Sequence, residues 1–198
     1  ETPLFLTSEL REALVRAARE IMTHASDPGL LQRFRRAVPP PYDVPRIDAL
    51  PAMAQVDFAL VEGPEGKPEG RLIEMQGFPS VSALMIAQSD AWAEVLQDEP
   101  GFGGGFTALL GPSREATLEL IRRTLRGECA AEEVVLVDID PEQQKTRPDF
   151  VATRQLFDID AVCLTKLRIE GRTVLREKAG RWIPVKRIYH RVVFDELE

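Results

Sequence analysis

The chain has little cysteine and little histidine. Cys129, Cys163, His24 and His190 are the whole complement in 198 residues. They are far apart and match no zinc-ligand spacing, so a Cys/His metal centre is not expected. Two isolated histidines leave no Ser/His/Asp triad to assemble. Cys163 falls in an apolar strand and reads as inert. Cys129 falls in a loop with no nearby basic residue to activate its thiol. No apolar run reaches the roughly 18 residues of a membrane-spanning helix. No basic-then-apolar leader opens the chain, so the cytoplasm is the expected compartment. Positive charge is also short: 25 Lys and Arg stand against 32 Asp and Glu, a net charge of −7. Nucleic acid is therefore not expected as the main partner, nor is a membrane. Lysine is scarce, with 5 against 20 arginines. That ratio suits planar, bidentate anion contacts and is equally what a GC-rich genome produces.

What is present suits a folded protein. Hydrophobic residues make up 44% and charged residues 29%, enough apolar material for a core and too much for a disordered chain. Residues 8–25 carry Leu10, Leu14, Ala17, Ala18 and Ile21 at helical spacing, with Ser8 as the expected N-cap. A second short helix is expected over 29–38, stopped by Pro39-Pro40-Pro41. It carries Arg33, Arg35 and Arg36, which read as a solvated face or a phosphate grip. Further helices are expected over 81–97, 114–126 (after Ser113) and 149–157. Continuous apolar strands are expected at 134–139 and 161–164, and short ones at 173–177, 182–185 and 187–193. The strand–helix–strand rhythm of this last third predicts a small parallel sheet of α/β type. The Gly-rich run Gly101–Gly105 follows no clear strand and lacks the dinucleotide fingerprint, so it reads as an interdomain loop. The expected domains are 1–110 and 111–198.

The segment 55–76 carries the strongest chemical signal. Gln55–Val61 and Arg71–Gln76 have strand composition, and the turn-rich stretch Glu62–Gly70 joins them as an antiparallel hairpin. Glu74 and Gln76 are two apart, so they share a face, with Ile73 and Met75 on the other. Asp57 interrupts an apolar strand and meets that same face in one of the two possible registers. Two carboxylates and an amide oxygen make an all-oxygen set of the kind that suits Mg²⁺, whose remaining ligands come from water and phosphates. The same alternation also describes an ordinary solvated hairpin face.

These residues resemble the metal signature of the ATP-grasp superfamily. Val56-Asp57-Phe58, a loop, then Leu72-Ile73-Glu74-Met75-Gln76-Gly77-Phe78-Pro79 is similar to its Asp on one strand and Glu-x-Asn with a nearby Pro on the next. Gln76 stands where Asn is usual. The motif precedes the α/β region, as in the circularly permuted members, including glutathionylspermidine synthase-like and related bacterial families. The segment from Ile159 to Cys163, and on through Val185-Lys-Arg-Ile-Tyr189-His-Arg191 to Asp195, follows the outline of their closing strands, with His190 in place of a usual Arg. The resemblance covers about residues 45–198.

The resemblance implies an ATP-grasp-like metal hairpin, with an α+β N-terminal part, followed by a Rossmann-like pre-ATP-grasp sheet. It implies Mg²⁺ and ATP as cofactors and carboxylate–amine ligation through an acyl phosphate. Asp57, Glu74 and Gln76 would hold the metal. Arg46 would stabilise charge on the transferred phosphoryl group. Arg191 and Lys145 would contact the nucleotide. The loop after Asp140, at the carboxyl end of a strand, would present Glu142, Gln144, Thr146 and Arg147 to small carboxylate and amine substrates. The bland reading of that loop is ordinary helix capping by Asp140 or Thr146. No counterpart of the half that grips adenine and supplies the phosphate-binding lysine is found. With no initial methionine and an abrupt end in Phe-Asp-Glu-Leu-Glu, the chain is expected to be a piece of something longer. A non-catalytic α/β binding or assembly module is the alternative, and a small metal-dependent hydrolase a third.

Overall fold

The computed structural model describes residues 3–45, 50–77, 80–99 and 113–193. Arg46, the Gly-rich run at 101–105 and Asp195 lie outside the described residues. The chain divides into two compact units, Glu1–Pro79 and Ser80–Glu198.

The first unit opens with α1 (Ser8–Ala25). Its cap is Thr7, not Ser8: the Thr7 hydroxyl accepts the Leu10 N–H at 3.2 Å, while Ser8 is already helical. The second helix, α2 (Pro28–Arg35), begins one residue earlier than expected and ends three residues sooner. Asp27 caps it by accepting the Leu30 N–H at 3.0 Å, and Pro28 occupies the first turn, where no backbone donor is needed. Strands β1 (Gln55–Glu62) and β2 (Pro68–Gln76) form a two-stranded antiparallel sheet. Pairing continues to Glu62 opposite Pro68, so the connection is shorter than the nine-residue stretch of turn-like composition suggests. Helix α1 meets the sheet at Gly70, where an added Cβ would lie 2.3 Å from the Leu14 side chain and 3.4 Å from the Phe58 ring. Glycine is what lets helix and strand approach so closely.

The second unit contains α3 (Ser82–Leu96), α4 (Arg114–Arg126), β3 (Val134–Asp138), α5 (Arg147–Phe157) and β4 (Asp160–Cys163). It closes with β5 (Arg168–Glu170), β6 (Thr173–Lys178), β7 (Arg181–Val185) and β8 (Arg187–His190). Strands β4, β3 and β8 form a parallel sheet in that order. The β3–α5–β4 crossover is the expected α/β element. All five residues of β3 are buried, which is why its sequence is continuously apolar up to Asp138. Val135 and Val137 pack with Val192, flanked by Val162, Leu167 and Val185. Strands β5, β6 and β7 form a separate antiparallel sheet. Its first strand, β5, has only three residues and an alternation too short to show in the sequence. After β7 the chain returns to the parallel sheet, and β8 pairs with the side of β3 opposite β4.

Helix α3 is mostly apolar and buries Ala83 and Ile86, which lie three apart on one face. It packs on α5. No side chain of its own caps it; the buried Asp149 of α5 accepts the Leu84 N–H at 3.0 Å. The other oxygen of Asp149 accepts from Arg191 at 3.0 Å. Both charged side chains are at least 95% buried, and the Arg191 guanidinium also lies over the rings of Phe150 and Tyr189. One carboxylate thus ties α3, α5 and the segment after β8 together. Ser113 caps α4 as expected, accepting the Ala116 N–H at 3.1 Å, and Arg114 forms a two-pronged pair with Asp90 of α3. The architecture is mixed α/β with several small sheets. Among the described residues no helix is long and apolar enough to cross a membrane.

Candidate metal centre

The hairpin register brings the three predicted residues together. Asp57 is the direct cross-strand partner of Glu74, and Gln55 is the partner of Gln76. The next pair is Phe58 with Leu72, which leaves Ile73 unpaired as a β-bulge. The bulge sets which residues share a face. In β2 the polar residues fall at 69 and 71, then at 74 and 76, so the alternation slips by one residue. Without a bulge, Leu72 would share the face of Glu74. With Ile73 as the extra residue, Glu69, Arg71, Glu74 and Gln76 all lie on the face of Asp57. Val56, Phe58, Leu60, Leu72 and Met75 lie on the other.

On the polar face the side chains already converge. The Gln76 amide nitrogen donates to Asp57 Oδ2 at 3.0 Å and to Glu74 Oε1 at 2.7 Å. Gln55 donates to the other Asp57 oxygen at 2.8 Å. Farther along, Arg71 pairs with Glu69. Two carboxylates thus face each other with one N–H₂ group between them. The amide dipole offsets part of their repulsion. Rotating the Gln76 amide by half a turn would present its oxygen instead, giving two carboxylates and a carbonyl-type oxygen. That set suits a hard cation such as Mg²⁺, which takes one or two protein carboxylates and completes its shell elsewhere. Asp57 and Gln76 are half-buried and Glu74 is exposed, so the cluster stays open to solvent. Among the described residues no three His, Cys, Asp or Glu side chains gather as a metal-holding group. Two carboxylates and an amide are therefore the donor set the hairpin offers.

Gln55 was not singled out in the sequence. Its signal was present, because it sits two residues before Asp57 and so shares its face.

The other predicted residues belong to the second unit, except Arg46, which lies outside the described residues. The loop after β3 does sit at the carboxyl end of a parallel strand. Asp140 there adopts a left-handed backbone, φ 42°. The loop's polar side chains mostly bond to the loop itself. The exposed Glu142 pairs with Arg147 at 2.7 Å, and Gln144 donates to the Ile139 carbonyl at 2.8 Å. Thr146 occupies the N-cap position of α5 without making a side-chain cap bond, and Lys145 is exposed. Arg191 is held by Asp149 as described above. Cys163 is buried, accepts the Asp140 N–H at 3.4 Å and lies 3.1 Å from the Thr165 hydroxyl. Burial disfavours the charged form of His190 and lowers its pKa, against an opposing pull from Asp138. Burial also raises the pKa of Tyr189.

These features define a mixed α/β protein with an oxygen-rich cluster on a bulged hairpin. Compared with protein-family profiles, with curated proteins and with solved structures, the chain matches none.

Proposed function

We propose that this chain is the metal-binding hairpin and pre-ATP-grasp portion of a circularly permuted ATP-grasp protein. The activity is carboxylate–amine ligation driven by Mg·ATP through an acyl phosphate. The observation that carries the reading is the pairing of Asp57 with Glu74 and their shared bond to Gln76. The carboxylates of Asp57 and Glu74, with the Gln76 oxygen, would hold Mg²⁺, which supplies charge neutralisation at the nucleotide phosphates. Gln55 keeps the Asp57 carboxylate oriented. Arg46 is the candidate for stabilising charge on the transferred phosphoryl group. The loop of Glu142, Gln144, Lys145, Thr146 and Arg147 is the candidate for meeting small carboxylate and amine substrates, since loops at the carboxyl ends of parallel strands serve that purpose. Arg191, expected to contact the nucleotide, is 95% buried and paired with Asp149, so in this reading it ties α5 to the segment after β8.

One observation favours a second reading, a non-catalytic binding or assembly module. Gln76 already bridges the two carboxylates with its nitrogen, so the hairpin is satisfied without an ion.

Calorimetric titration of the chain with Mg²⁺ and with Mg·ATP, beside an Asp57→Ala/Glu74→Ala variant, decides between them. Heat of binding that the double substitution abolishes supports the metal site. Absence of binding in this chain and in the longest natural chain that contains it supports the module.

A further inference from the structure

A second cluster, in the second unit, has a charge imbalance of the opposite sign. Asp160 opens β4, and its Oδ2 accepts from Arg176 of β6 at 2.6 Å and from Lys178 of β6 at 2.9 Å. Its Oδ1 lies 3.3 Å from Arg154 Nε of α5. Three cations thus share one carboxylate, a local charge of 3 − 1 = +2, in a chain whose net charge is −7. Asp158, two residues before Asp160, forms an ion pair with none of the three among the described residues. The carbonyl end of α5 contributes about half a negative charge, which leaves the cluster clearly positive.

Arg176 shows that the imbalance is not relieved internally. Its side chain is 2% exposed, and its Nε and Nη1 atoms are buried without a hydrogen-bond partner. A buried guanidinium with one of its edges unanswered is costly unless further negative charge lies close by. The cluster is reachable from solvent. Arg154 is 73% exposed, Lys178 is 38% exposed, and each has donors beyond its contact with Asp160.

We propose that Arg154 and Lys178, backed by the buried charge of Arg176, form a binding site for a phosphate dianion beside Asp160. The dianion matches the local charge. The exposed Arg154 fork and the Lys178 ammonium provide the direct hydrogen bonds, and Arg176 contributes through the field it exerts at short range. The site is made entirely of the second unit and needs neither nucleotide nor Mg²⁺, so it stands apart from the hairpin reading.

The test is calorimetric titration of the full chain with inorganic phosphate in EDTA, at constant ionic strength set with chloride. Three comparisons accompany it: Arg154→Ala/Lys178→Ala, the surface control Arg172→Ala, and phenyl phosphate as a monoester. Circular dichroism checks that each variant is folded. Saturable one-to-one binding is expected, weakened at least tenfold in the double variant and unchanged in Arg172→Ala. Phenyl phosphate binding equally well assigns the site to phosphate monoesters; its rejection assigns it to the free ion. No saturable binding, or equal binding by the wild type and the double variant, overturns the proposal.

Discussion

The two units solve the same problem differently. The second builds a core: β3 is buried along its whole length, and α3, α5 and the segment after β8 are tied by a buried ion pair. In the first unit, Leu10 alone among the described residues is buried, and it keeps 9% of its surface exposed. Its sheet has two strands, and Leu72, Ile73 and Met75 are 52%, 63% and 40% exposed. Yet this lightly packed unit carries the carboxylate cluster. A two-stranded hairpin is marginal by itself, so its geometry rests on local devices, namely cross-strand pairs, a bulge and one close contact with a helix. The second unit relies on burial and long-range ties. The open carboxylate cluster sits on the first kind of frame, and the deepest burial belongs to the second.

The sharpest way to break this contrast is to remove a tie from the second unit. Asp149→Ala leaves Arg191 buried without its partner and uncaps Leu84. It is expected to cost about 3–5 kcal/mol in denaturant unfolding. A cost below about 1 kcal/mol would mean that the pair holds nothing together. Next comes the helix–strand contact of the first unit. Gly70→Ala places a Cβ against Leu14, with an expected cost of about 1–3 kcal/mol. Adding Leu14→Ala should recover part of that cost in a double-substitution cycle, and strict additivity would rule the contact out.

Helix caps supply a smaller, matched pair. Thr7→Ala and Ser113→Ala should each cost about 1 kcal/mol, one in each unit, read by thermal unfolding. Hydrogen exchange compares the units directly: amides of β3 should be the slowest and those of β1 and β2 markedly faster. Comparable protection would refute the division of labour.

The smallest expected effect is one of pH. Burial of Asp160 raises its pKa, but hydrogen bonds from Lys178 and Arg176 outweigh this and hold it below its ordinary value. A carboxylate with a depressed folded-state pKa contributes stability that is present above the unfolded-state value, near 4. The contribution is lost as the pH falls through the lower folded-state value. Asp160→Asn should therefore narrow the loss of stability below about pH 4, relative to the wild type. A variant whose acid limb matches the wild type would show that Asp160 does not contribute.

Much of the frame was legible because its signals are local. The periods of α1 and α4 and the apolar run of β3 predict those elements to within a residue or so. The hairpin strands and their polar residues were legible too. The bulge was encoded but missed: polar residues at 69, 71, 74 and 76 cannot share one face of a regular strand. Recognising the slip in phase at 72–73 would have selected the register in advance. Thr7 rather than Ser8 as the cap is a shift of one residue, of the kind that local pattern does not resolve. Strand β5 was too short to carry a period.

By itself, then, the sequence determined the mixed α/β class, the order of most elements and the presence of two carboxylates and an amide on one hairpin. Those features follow from periodicity and composition within about twenty residues. Tertiary structure decided the rest. It placed β8 on the far side of β3, joined Arg191 to an aspartate 42 residues earlier, and gathered Arg154, Arg176 and Lys178 around Asp160. Strand order and buried charge pairs depend on which distant surfaces meet. No local pattern encodes that meeting, because the free energy that selects it is released only when the surfaces are buried together.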